Sequence, residues 1–208
     1  MVTRRTDRAQ AVAFTSEPPW DVVQLSPEAA ELLGCPGIPA APPPGTDAAV
    51  ESARRTGRPQ VITRLVRTAG AARVLTTIAA CADVSGPRVH GWIVDVSADL
   101  ATPDGTSLDG LAVVTRGPVT AVVAAGEFDL SRRHELRAAL RAAAATDRDV
   151  YLDTRHVRFL EARAVAMFDE LAATLAPRRR LVVVDPPPVV QLVLSVGGSN
   201  GARTWATA

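Results

Sequence analysis

"VYLDTRHVRFLEARAVAMFDEL", residues 150–171, decides how the second half of this chain reads. With Asp149 before it, "DVYLD" is a short apolar run of the kind a buried strand uses. From residue 161 "EARAVAMFDELAATLA" takes a helical period, which puts Ala164, Phe168, Leu171 and Leu175 on one inner face. A strand-to-helix junction turns unpaired N–H groups outward and carries the positive end of the helix dipole, so it suits recognition of an anion. This junction holds Glu161, Ala162 and Arg163, and no hydroxyl. Thr154, just after the strand, is the nearest one, and it reads as a turn residue. His156 reads as loop, between Arg155 and Arg158.

Working outward, the same alternation of elements continues. "LAVVTRG" and "VTAVVAAG" read as a hairpin turning at Gly117-Pro118. "FDLSRRHELRAALRAAAAT" reads as a helix with Leu136, Ala139, Leu140 and Ala143 on one face and Ser131 as N-cap. "RRLVVVD" is a further strand. "PPPVVQLVLSVGG" is a helix with prolines at its start and glycines at its end. The order β-β-α-β-α-β-α predicts a mixed sheet with helices packed on it, because runs such as "LVVVD" are what parallel strands need.

The first half has a different rhythm. "WDVVQLS" alternates like a strand, and "SPEAAELLG" reads as a short helix. "CPGIPAAPPPGT" must be loop. "DAAVESARRTG" is a helix capped by Thr46 or Asp47 and closed by Gly57. "PQVITRLVRT", "ARVLTTIAACADV" and "RVHGWIVDVS" form an antiparallel meander. "ADLATPDGTSLDG" is a polar connection. The expected organisation is a tail over 1–11, a domain over 12–100, a linker over 101–110, a domain over 111–198 and a tail over 199–208. The fold class is α/β (α+β overall).

Composition narrows the function. Hydrophobic residues make up 47% and aromatic residues 4%, so the core must come from Ala, Val and Leu. The formal net charge is +1, which argues against an electrostatic partner such as nucleic acid or a membrane surface. Every basic residue is Arg, which removes any lysine nucleophile or P-loop lysine. Cys35 and Cys81 lie too far apart for a metal motif or a disulfide framework. His90, His134 and His156 are too scattered for a metal triad, so no metal is expected. "RRR" at 178–180 reads as a solvated turn. The opening residues lack a signal peptide's apolar core, and no apolar run approaches the length of a membrane span. No catalytic constellation stands out, and the chain reads as a cytoplasmic protein without enzymatic activity.

Residues 111–197 resemble the STAS domain of anti-sigma factor antagonists and of sulfate-transporter tails. "VVAAGEFDLSRRHELRAAL" is similar to the family's G-E-[LIF]-D strand end running into its first helix. "VYLDTRHVRFLEARAVAMFDEL" is similar to its strand, D-S-S-G segment and second helix. "RRRLVVVDPPPVVQLVLSVGG" is similar to its last strand and Pro-initiated helix. The resemblance puts the family's Asp on Glu161, its two hydroxyl positions on Ala162 and Arg163, and its Gly on Ala164. It implies that Arg163 occupies the phosphoacceptor position, where no phosphate can be received. It also implies a partner, a histidine-kinase-like anti-sigma factor or a related ATPase, meeting Glu127, Asp129, Thr154, Glu161, Ala162 and Arg163. Asp129 is expected to pair with Arg163.

Residues 12–99 more distantly resemble a PAS domain. "VVQLSPEAAELLG" looks like its opening strand and helix, and Gly91 to Ser97 looks like its G-h-h-x-D-h-T ending. This resemblance implies a sensor that binds a small ligand or pairs with a second copy. No cofactor is implied. Cys35 does not sit in a flavin-reactive motif, and His90 lies on a strand. The combined expectation is a regulatory protein of the anti-sigma factor antagonist type, acting by protein–protein binding. The alternatives are a ligand-binding sensor module, nucleotide or otherwise, and an oligomerising scaffold of a stress-signalling complex.

Overall fold

The computed structural model describes residues 11–16, 23–27, 46–68, 71–83, 86–102, 107–197 and 206–207. The chain divides into two compact units near residue 98. The fold class expected from the sequence is the one observed.

The first unit is a five-stranded antiparallel sheet in the order β2-β1-β5-β4-β3. Its strands are β1 (Ala11–Ser16), β2 (Val23–Leu25), β3 (Gln60–Thr68), β4 (Ala71–Asp83) and β5 (Gly86–Asp95). The long strands are rich in β-branched residues, which fit a pleated half-buried surface. The meander is present as expected. β1 was not expected: its alternation is carried by small residues, and it pairs with β5 from Ala11↔Val94 to Ser16↔Val89. The helix α1 (Thr46–Thr56) buries Ala49, Val50 and Ala53 against Leu75, Ala79, Val89 and Ile93. It closes at Gly57, whose φ of +65° lets its N–H reach the Ala53 carbonyl at 2.9 Å. The helix expected over "SPEAAELLG" and the loop after it lie outside the described residues, apart from Ser26 and Pro27.

A short helical turn, α2 (Ser97–Leu100), follows β5. The second unit is a sheet in the order β10-β9-β8-β7-β6. Its strands are β6 (Gly110–Arg116), β7 (Val119–Phe128), β8 (Asp149–Leu160), β9 (Leu181–Val184) and β10 (Ala206–Thr207). β6 and β7 form the expected hairpin at Gly117-Pro118. β7, β8 and β9 are parallel, and β10 adds a parallel pair to β9 within the stretch expected as a tail. The helices α3 (Arg133–Ala144), α4 (Ala164–Leu175) and α5 (Pro188–Gly197) connect or follow these strands. Leu136, Ala139, Leu140 and Ala143 of α3 are all buried, as the helical spacing requires. They share one core with Phe168, Leu171 and Leu175 of α4 and with Val150, Leu152, Leu181 and Val183 of the sheet.

Three local readings change. β8 runs to Leu160 and does not end at Asp153, so Thr154 and His156 are strand residues. Its pairing with β9 stops at Asp153↔Val184, while its pairing with β7 continues to Phe128↔Leu160. The arginine triplet is not simply a solvated turn. Arg179 donates to the carbonyls of Ala144, at 2.9 Å, and Thr146, tying the end of α3 to the start of β9. The stretch expected as a linker also has structure at its two ends, 101–102 and 107–110. Ala101 and Leu108 form a β-bridge, the Asp109 N–H donates to Leu100 at 2.8 Å, and Leu108 is buried.

Candidate functional site

The site lies where β7 and β8 give way to α3 and α4. The backbone N–H of Glu161 donates to the Phe128 carbonyl at 2.9 Å, so the two turns leave the sheet side by side. Between them is a shallow surface depression, too shallow to enclose a ligand, bordered by Asp129, Arg133, Glu161, Arg163 and Met167 over Phe128 and Leu136.

The β7–α3 turn is densely bonded. The Asp129 carboxylate accepts the Ser131 hydroxyl at 2.5 Å, the Ser131 N–H at 2.9 Å and the Arg132 N–H at 3.3 Å. The Ser131 hydroxyl, then these backbone N–H groups and the nearby Arg132 charge, hold the Asp129 pKa below its ordinary value. Asp129 is therefore committed to its own turn and does not pair with Arg163. Ser131 is not the expected N-cap either. Its hydroxyl serves Asp129, and α3 starts at Arg133 after an N-cap residue, Arg132, with no side-chain capping bond.

Arg132, which the sequence reading passed over, is the hub of this turn. It donates to Glu135 at 2.9 and 3.1 Å, to Asp109 at 2.6 Å and to the Glu127 carbonyl at 3.4 Å. Its guanidinium lies 4.7 Å from the centre of the Phe128 ring. Glu135 first, then Asp109, raises its pKa. The Asp109 carboxylate fits because residue 126 is glycine. A Cβ there would lie 1.9 Å from Asp109 Oδ1, and φ is +91°. The β7–β8 register shifts beside this glycine. The glycine of "GEFD" was the one sequence signal for the pocket that Asp109 enters.

The β8–α4 turn is sparse. Glu161 and Ala162 accept the N–H groups of Ala164 and Val165 at 2.9 and 3.2 Å, closing the first turn of α4. Arg163 is the N-cap residue, makes no side-chain capping bond and is 71% exposed. Its one ion pair is a long 4.0 Å contact with Glu161. Ala162 is exposed too. Glu127, at the end of β7, meets Arg158 at 3.8 Å. Glu127, Asp129, Glu161, Ala162 and Arg163 thus gather at one end of the sheet. Thr154 does not join them. It is 1% exposed and directs its hydroxyl to the Val184 carbonyl at 3.4 Å, so it offers no surface to a partner.

Among the described residues no group of three His, Cys, Asp or Glu side chains could hold a metal ion, and no helix is long and apolar enough to cross a membrane. The arrangement offers fixed charges at the surface, which suit recognition.

Residues 111–204 match the family model described as "Mlab, STAS domain", so this part of the chain carries a STAS domain. No curated protein matches the chain. One solved structure similar to it is the anti-sigma factor antagonist SpoIIAA in its unphosphorylated form. It is 18% identical, over 48% of this chain and 88% of that one, with a TM-score of 0.38. Another is an RNA-binding light-oxygen-voltage receptor, 24% identical over 65% of this chain, with a TM-score of 0.37. The chain covers 35% of that receptor's length.

Proposed function

We propose that this is a non-enzymatic cytoplasmic regulator of the anti-sigma factor antagonist type. It acts by binding a histidine-kinase-like anti-sigma factor or a related ATPase. The surface formed by Glu127, Asp129, Glu161, Ala162 and Arg163 meets that partner, and input comes from the first unit. The observation that carries this reading is Arg163. It stands at the N-cap of α4 and is 71% exposed, inside a STAS domain, where the resemblance puts a phosphoacceptor hydroxyl. A guanidinium there cannot accept phosphate, and it sets a fixed positive charge where a phosphorylated acceptor would carry about −2. The ordinary switch is absent while the surface around it is kept.

The test is binding of the purified protein to candidate anti-sigma kinases with ATP present, beside Arg163→Ser. The parent is expected to bind and stay bound, and the variant to be phosphorylated and released. Phosphate on residues 159–165 of the parent, or no binding by either protein, overturns the reading.

A further inference from the structure

Two arginines border the depression between the turns, and neither is tied closely to a carboxylate. Arg163 makes no capping bond and meets Glu161 only at 4.0 Å. Arg133, the first residue of α3, has its Nε buried without an acceptor. A donor left in that state favours any acceptor brought to its guanidinium. The two carboxylates on the same rim differ. Asp129 already accepts the Ser131 hydroxyl and the N–H groups of Ser131 and Arg132. Glu161 has its distant contact with Arg163, a surface pair that is weak and easily exchanged. The rim thus presents two guanidinium groups against one carboxylate that lacks close donors.

A guanidinium fork matches the oxygens of a phosphoryl group. The depression is too shallow to enclose a free nucleotide, so a macromolecule must carry such a group in. The formal net charge of +1 argues against a nucleic-acid backbone as that carrier, which leaves a protein. The position of Arg163 narrows the choice. On the functional reading above, it stands where a hydroxyl would take phosphate from ATP held by the partner. Such a hydroxyl must come within about 3–3.5 Å of the terminal phosphorus. A different side chain at the same place, in the same docked pose, is delivered to the same phosphate. We propose that Arg163, with Arg133 on the same rim, is a receptor for the terminal phosphate of the ATP bound in the partner. The chain therefore selects the ATP-loaded partner over the ADP-loaded one, which lacks that group. The proposal rests on the functional reading above and adds the partner state that the surface recognises.

The test measures the affinity of the full chain for candidate anti-sigma kinases loaded with a non-hydrolysable ATP analogue or with ADP. The kinase is treated with phosphatase beforehand. The parent is expected to bind the analogue-loaded kinase about tenfold more tightly than the ADP-loaded one. Arg163→Ala should bring that ratio to within about twofold, whatever it costs in absolute affinity. Arg163→Lys keeps the charge without the fork and should give an intermediate ratio. Arg133→Ala should lower the ratio by a smaller factor than Arg163→Ala. A merely structural role would weaken both nucleotide forms alike and keep the ratio. A parent ratio within about twofold, or an Arg163→Ala ratio equal to the parent's, overturns the proposal and leaves the functional reading standing. A preference seen only without phosphatase treatment puts the phosphate on the kinase's own side chains and overturns the assignment to ATP. No binding in either nucleotide state removes the functional reading and this proposal with it.

Discussion

The two turns that meet at the end of the second sheet are built in opposite ways. From Asp129 to Arg132 nearly every polar group has a partner, and one arginine serves two carboxylates, a carbonyl and an aromatic ring. From Glu161 to Arg163 only the backbone closes the helix, and the guanidinium stands in solvent with a distant carboxylate. Dense bonding around the first turn fixes a shape. Sparse bonding around the second leaves a charge whose removal costs the fold little, which is what a recognition element requires. The contrast separates residues that hold the site from residues that a partner would read.

Four variants would break or sharpen that contrast. The largest effect is expected at Gly126. Gly126→Ala drives a methyl group into Asp109 and forces an L-residue to φ +91°, a loss of about 1–3 kcal/mol measurable by urea unfolding. Arg132→Ala comes next. It leaves Glu135 and Asp109 without their ion partner and uncovers Phe128, for about 1–2 kcal/mol by the same measurement.

A smaller effect belongs to Asp129→Asn and shows in the pH dependence. The folded carboxyl has a pKa below the ordinary 3.8. Its contribution is therefore present above that value and is lost as pH falls through the depressed folded value. The parent should lose stability in that acid window relative to pH 7, and the variant should lose less, seen in thermal melts across pH. The smallest effect is Arg163→Ala, within about 0.5 kcal/mol of the parent, with an unchanged melting temperature. A loss as large as that of Arg132→Ala would erase the distinction between the two turns.

Much of the fold was legible because it rests on local periodicity. Leu136, Ala139, Leu140 and Ala143 lie on the buried face that their spacing implies, and Gly117-Pro118 turns the hairpin. The length of β8 was hidden because "TRHVR" is polar. There its ladder with β9 has ended, at Asp153↔Val184, while that with β7 goes on. β1 was hidden because alanines carry half of its alternation. The site divided in the same way. Arg163 is visible because the local pattern alone puts it at a helix start, where it is exposed. Arg132 drew no notice and Thr154 was misplaced because distant residues set their surroundings. Asp109 lies 23 positions before Arg132, and Val184 lies 30 after Thr154.

The length of β8 has a consequence for how charge is delivered to the end of the sheet. Past Asp153 the strand stays on its ladder with β7 as far as Phe128↔Leu160, and it carries Arg155, tied to Asp185, and Arg158, tied loosely to Glu127. Each residue of a strand advances about 3.3 Å and alternates its face, so these guanidinium groups stand at set intervals along a rail. The arginines that make this stretch look like a loop are, on the folded molecule, spaced by a ladder and not by a loop's freedom.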